Sequence, residues 1–154
     1  MNAPRRLLAD DPCLPEVLQL IRRSFAYMEG RIDPPSSMHR LTVAALQEQC
    51  RAGEIWAIGT PPLACIFLTP KEDCLHLGKL AVDRPQRRSG LARRLIELAS
   101  GRARALDLPV LQLETRIELV ENHAAFARMG FVRTAEKAHD GFERPTSITM
   151  QRTV

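Results

Sequence analysis

Aromatic side chains are scarce in this sequence: one tryptophan, one tyrosine and five phenylalanines make up 5% of it. Proteins that hold single-stranded nucleic acid stack bases on aromatic platforms set among cations. No such interleaving occurs here, so no nucleic-acid partner is expected. Long apolar runs are also missing, and none approaches the roughly 20 residues a membrane helix needs, so no membrane association is expected either. Met1 to Arg6 carry basic charge but no apolar core before Asp10 and Asp11, unlike a secretory leader, which predicts a cytoplasmic location. Cys13, Cys50, Cys65 and Cys74 form no Cys-x-x-Cys pair, and no histidines stand at zinc spacing, so no metal is expected. Each cysteine has apolar neighbours and reads as a small buried hydrophobe rather than a nucleophile or a disulfide partner. Neither Gly-x-x-x-x-Gly-Lys-Ser/Thr nor Gly-x-Gly-x-x-Gly occurs, which leaves an NTPase or a dinucleotide dehydrogenase without support.

The remaining composition is that of an ordinary globular protein, 45% hydrophobic and 26% charged. A chain of 154 residues fits one domain over 1–154, able to bury roughly 70% of its unfolded surface. No repeat, low-complexity tract or long linker divides it.

Apolar spacing and turn residues give an element order. Arg5 to Leu8 reads as a first strand. Asp11 followed by Pro12 predicts a helix N-cap, and Leu14, Val17, Leu18, Ile21 and Phe25 carry that helix to about Tyr27. After the proline-containing loop 29–37, Ser36 or Ser37 is expected to cap a second helix ending near Gly53. Ile55 to Ile58, Leu63 to Leu68 and Cys74 to Val82 read as an antiparallel meander. A helix over Leu91–Leu106, a strand over Pro109–Glu114, a helix over Val120–Met129 and strands over Phe131–Glu136 and Thr146–Gln151 follow. The fold class is mixed α/β, with a largely antiparallel sheet of about seven strands and about four flanking helices.

The net charge of +4 is unevenly placed. Between Arg84 and Arg104 lie seven arginines (84, 87, 88, 93, 94, 102 and 104) against a single acid, Glu97. Gly90 falls where the chain turns into the long helix. The first amides of a helix lack intrahelical partners, and the macrodipole makes that end positive. Arginines there oppose the dipole by roughly 0.3–1 kcal/mol each. A bound polyphosphate reverses the sign, because charge-assisted bonds contribute about 1.5–3 kcal/mol apiece. On physical grounds this turn is an anion site, with a plain solvated basic face as the alternative.

Here the sequence resembles the GNAT superfamily of N-acetyltransferases. The family's Arg/Gln-x-x-Gly-x-Gly/Ala motif is matched by Arg87-Arg88-Ser89-Gly90-Leu91-Ala92. Gly78 to Asp83 precede it as in the family's strand-then-turn signature. Glu121 to Phe131 resembles its second signature helix, which contains an Asn and closes in Gly-Phe. The resemblance implies acetyl-CoA as donor. It implies that backbone groups of Leu80, Ala81 and Val82 hold the pantetheine arm, that the turn Arg87, Arg88, Ser89, Gly90, Leu91, Ala92 with Arg93 takes the pyrophosphate, and that Asn122 and Phe126 border the cofactor. It also implies an amine acceptor, either a small molecule or a peptide, and leaves a homodimer open.

Acetyl transfer needs a neutral amine, a donor for the developing oxyanion and a proton for the departing thiolate. Many family members draw that proton from a tyrosine on the second signature helix. Phe126 occupies the matching position and has no hydroxyl. Tyr27, beside the loop expected to border the acceptor pocket, is the candidate acid. Glu114 is the first candidate base and His76 the second, while His123 and His139 are expected on exposed segments. Residues 27–41 and 137–146 are expected to shape the acceptor pocket. Because of Phe126, a catalytically silent acetyl-CoA-binding sensor or scaffold stands as the alternative function.

Overall fold

Ala64-Cys65-Ile66-Phe67-Leu68 is apolar at every position, a run that needs cover on both faces of a sheet. The structure, a computed structural model, describes residues 3–154 and supplies that cover. Among these residues the strands are β1 (Arg5–Leu7), β2 (Glu54–Ile58), β3 (Ala64–Pro70), β4 (Leu75–Val82), β5 (Val110–Arg116), β6 (Val132–Lys137) and β7 (Ser147–Thr153). The helices are α1 (Leu14–Ser24), α2 (Val43–Ala52), α3 (Leu91–Ala105) and α4 (Val120–Arg128). The strands form one seven-stranded sheet in the order β1-β2-β3-β4-β5-β7-β6. All pairings are antiparallel except that of β4 with β5.

Successive strand side chains point to opposite faces, and β3 divides accordingly. Ala64, Ile66 and Leu68 join the buried face of α3 (Leu91, Leu95, Ile96, Ala99, Ala103), with Phe131 and Met150. Cys65 and Phe67 face the other way, onto Leu14, Val17, Leu18 and Ile21 of α1 and Leu46 and Cys50 of α2. Two ion pairs tie sheet to helix on the α3 side, Arg152–Glu97 at 2.9 Å and the more buried Arg102–Glu54. Arg102 donates from Nε and Nη2 to the two oxygens of Glu54 at 2.9 and 2.7 Å, and the Trp56 indole donates to the same carboxylate at 2.7 Å.

The expected element order holds, with local differences at the caps. The Asp11 carboxylate accepts the Cys13 N–H at 2.9 Å, so a turn absorbs Pro12 and α1 begins later, with Cys13 at the N-cap and Pro15 in its first turn. Its end is Ser24, and Tyr27 sits in a separate 3₁₀ turn, Ala26–Met28. Ser36 does cap, through its hydroxyl and the Met38 N–H, but it opens only a 3₁₀ turn, Ser37–Arg40. Leu41 then breaks into extended backbone, and Thr42 caps α2 by accepting from the Ala45 N–H. Two competing caps split what reads as one helix. Cys50, Cys65 and Cys74 are buried, whereas Cys13 is only half-buried against Arg5.

Two irregularities position the site. β4 and β5 pair only from Leu75↔Leu111 to Leu77↔Leu113. Beyond that, β4 stays on β3 (Cys65↔Ala81, Ala64↔Val82) and β5 stays on β7 through Arg116↔Ser147, so a wedge opens between them. Within the wedge the β3–β4 register jumps from Phe67↔Gly78 to Cys65↔Ala81. The extra residue is a bulge that puts Lys79 at φ 46°, a conformation unusual for any side chain but glycine.

Candidate active site

The 3₁₀ turn Arg84–Gln86 follows β4 and leads to Gly90, which caps α3 at φ 87° without any side-chain hydrogen bond. No acid stands in the first turn of α3. A Cβ placed on Gly90 meets no atom within 4 Å. The backbone angle, not crowding, therefore demands glycine there, and the space in front of the helix end is open. Arg88, at φ 70°, and Arg93 are both exposed. Arg87 is directed elsewhere: its guanidinium donates to the Ser24 carbonyl at 3.1 Å and lies 5.8 Å from the Tyr27 ring centre. The Ser89 hydroxyl closes the turn onto the Gln86 carbonyl.

The wedge between β4 and β5 opens into a cleft of about 960 Å³. One wall is Gly78, Lys79 and Leu80, the other Glu114, Thr115 and Arg116. The loop after α1 roofs it from Tyr27 to Arg40, Asn122 and Phe126 of α4 close one end, and His139, Asp140 and Phe142 contribute from the β6–β7 connection. Segments 27–41 and 137–146 both contribute residues to the lining of this cleft. Arg116 pins the roof by donating to the carbonyls of Pro34 (2.6 Å) and Pro35 (3.1 Å). Arg144 pairs with Asp33 at 3.1 Å on the same loop.

The candidate catalytic residues converge on this cleft. Tyr27 sits at its α4 end, its hydroxyl accepting from the Asn122 side-chain amide at 3.1 Å. Asn122 is therefore not a helix cap; Leu119 holds that position. His76 is half-buried in the wall, and burial pushes its pKa down, against an upward pull from Glu114. Glu114 is paired with Lys137 at 3.5 Å. Phe126 packs edge-on against Phe131, with ring centres 5.9 Å apart. The Val82 carbonyl accepts from the Ser24 hydroxyl at 3.3 Å, and Ala81 is buried.

His139 and His123 are each half-buried, on segments whose other residues are largely exposed. His139 lines the cleft with its ring on the Thr146 hydroxyl, and burial, followed by the charge of Arg116, lowers its pKa. His123 is half-buried, with its ring 2.9 Å from the Arg116 carbonyl. Lys79 and Arg116 were not singled out by the sequence. The alternation Leu111, Leu113, Thr115 continues past Glu114 and is the signal that β5 carries on to Arg116.

Coenzyme A fits these features. An acid-free, glycine-capped helix end flanked by Arg88 and Arg93 suits a diphosphate. A strand pair whose backbone pairing stops at Leu77↔Leu113 suits an extended amide-bearing arm.

Residues 14–131 match the acetyltransferase (GNAT) family, and the chain belongs to it. It is thus an enzyme of the acetyltransferase class. Solved structures agree in fold across the whole chain. An acetyltransferase from Streptococcus agalactiae 2603 superposes with a TM-score of 0.76 at 17% identity, covering 100% of each chain. The ribosomal-protein-S18-alanine N-acetyltransferase from Escherichia coli gives 0.71 at 18%, covering 99% of this chain and 94% of its own. A GNAT family acetyltransferase from Elizabethkingia anophelis with acetyl-CoA bound gives 0.69 at 14%, covering 99% and 97%. No curated protein matches the chain by sequence. Among the described residues no helix is long and apolar enough to cross a membrane.

Proposed function

We propose that this enzyme transfers an acetyl group from acetyl-CoA to an amine by direct attack in the wedge between β4 and β5. The carrying observation is that β4, the strand bordering the wedge, leads through the turn Arg84–Gln86 to an acid-free, glycine-capped helix end flanked by arginines. A thioester with a diphosphate at its far end needs both features. The donor supplies an activated acyl carbon and a thiolate leaving group.

In this reading the turn from Arg87 to Arg93, including Ser89, Leu91 and Ala92, receives the diphosphate. Arg87, already bonded to Ser24, shapes the turn, while Arg88 and Arg93 make ionic contact. The β5-facing edge of β4 at Leu80, Ala81 and Val82 lies along the pantetheine arm, and Asn122 and Phe126 border it. His76 takes a proton from the acceptor ammonium. Burial keeps its ring neutral near pH 7, so it can accept one. Glu114 supports it electrostatically from the neighbouring strand. Tyr27 returns a proton to the departing sulfur. The whole chain serves this one activity as a single domain, working in the cytoplasm.

The test is thiol release from acetyl-CoA across a panel of primary amines, run beside calorimetric titration with coenzyme A. Release that requires both enzyme and amine supports the reading. Phe126 favours a second one, a silent acetyl-CoA-binding sensor, and tight binding with no release on any amine decides for it.

A further inference from the structure

Lys79 and Arg116 face the same cleft from opposite walls, the first on the bulge of β4 and the second at the end of β5. Among the described residues neither makes a hydrogen bond or ion pair to a carboxylate. The Lys79 ammonium donates to the Ser37 hydroxyl at 3.0 Å, and Arg116 donates to the Pro34 and Pro35 carbonyls. Glu118 and Asp33 attract the Arg116 charge without bonding its guanidinium; Asp33 pairs with Arg144 at 3.1 Å, and Glu118 accepts the Asp33 N–H at 3.2 Å. Of the acids lining the cleft, Glu114 is paired with Lys137, which leaves Asp140. Burial and then the Arg116 charge both push the Lys79 pKa down, and no acid offsets them; His139 feels the same cation. Lys79 also holds a left-handed backbone angle, a strain that persists where its surroundings require it. A half-buried ammonium held by a hydroxyl, with a guanidinium in the same cleft, is unfavourable until an anion enters.

We propose that Lys79 and Arg116 form the subsite for an acid group on the acceptor, so that the substrate is an amine that also carries a carboxylate. The inference rests on the cleft being the acceptor site. The carboxylate lies on the roof side, bonded by the free donors of Lys79 and Arg116, and the amine points toward the splay at Gly78 to Leu80. A free amino acid and a peptide with an acidic residue beside its terminal amine both present this chemistry. A bare polyamine does not.

The experiment uses matched pairs with the full chain and acetyl-CoA: an amino acid against its primary amide, and a short peptide with Glu or Asp after its N-terminal residue against its Gln or Asn counterpart. In each productive pair the carboxylate form is expected to lead in kcat/KM by roughly tenfold or more, the scale of one charge-assisted hydrogen bond. Whichever pair responds names the source. In Lys79→Met the lead collapses toward unity through KM, and Lys79→Arg restores part of it. Calorimetry with the N-acetylated amino acid as product analogue gives a readout independent of turnover, with affinity lost in Lys79→Met. Equal rates within both pairs, or a Lys79→Met variant that keeps the preference, overturn the proposal while leaving acetyl transfer standing. Product-analogue binding that depends on Lys79 in a protein that releases no thiol supports the subsite and overturns the enzymatic reading instead. An acetyl group found by mass spectrometry on Lys79 itself overturns the proposal, since the lysine then acts as acceptor.

Discussion

Asn122 donates its side-chain amide to the hydroxyl oxygen of Tyr27 at 3.1 Å. The direction of that bond matters, because a phenol that accepts from an amide keeps its own proton free to give away. The guanidinium groups of Arg31 and Arg87 each stand 5.8 Å from the ring centre, as cation–π neighbours. Tyr27 thus has the hydroxyl and the orientation that Phe126 lacks. Tyr27→Phe is expected to lower kcat by roughly 10²-fold with little change in KM, the usual scale for one general acid. Asn122→Ala, which removes the support but leaves the phenol, should lose less. An unaltered kcat in Tyr27→Phe assigns the proton to water.

The α3 N-terminus allows stability and binding to be set against each other. Arg93→Glu replaces a cation in the first turn with an anion, so the helix dipole predicts a gain of roughly 0.3–1 kcal/mol in unfolding free energy. If the turn holds a diphosphate, coenzyme A affinity falls about tenfold or more in the same variant. Thermal unfolding and calorimetry on one preparation read both. A variant that is more stable and still binds coenzyme A normally leaves Arg93 as part of a solvated basic face.

The element order and the glycine-capped turn before α3 were legible in the sequence for the same reason: both are local. Leu91, Leu95, Leu98 and Ala99 announce α3 by spacing alone, and Gly90 announces the turn at its start. The caps were less legible, since Asp11, Ser36 and Thr42 are each competent to cap and only packing decides which of them opens a full helix. The cleft was least legible. Lys79 reaches the cleft because a bulge turns it there, a register jump between two strands that no single-strand pattern reveals. Arg116 reaches it because β5 outlasts its pairing with β4. His139 reads as a polar loop residue until the β6–β7 connection folds it against Thr146. These positions depend on pairings between distant segments.

His76 and Glu114 divide the candidate base between them, and pH separates their roles. Burial lowers the His76 pKa, and the Glu114 carboxylate pulls it partly back. If His76 is the base, kcat/KM should fall at low pH on a limb at or below the ordinary histidine value of 6.5. Removing the negative charge in Glu114→Gln then shifts that limb to lower pH, because the imidazolium loses its stabiliser. His76→Gln abolishes the limb and lowers the rate. Should Glu114→Gln remove the limb instead, the base is the carboxylate.

The Glu54–Arg102 pair makes a prediction about folding rather than catalysis. Burial alone raises the Glu54 carboxyl, but the bonds from Arg102 and Trp56 outweigh it and hold the pKa below its ordinary 4.5. A carboxyl with a lower pKa folded than unfolded binds fewer protons in the native state. Its stabilisation is complete above about pH 4.5 and is lost as pH falls through the native value. Glu54→Ala strands the Arg102 guanidinium and the Trp56 indole, at a cost of about 3 kcal/mol, the lower end for broken buried pairs because Arg102 keeps 28% of its side chain exposed. Denaturant midpoints measured from pH 7 to pH 3 should show the natural protein converging on the variant as acid protonates Glu54. Parallel pH curves, with a constant gap between them, assign the loss to packing against Trp56 instead of to the ion pair.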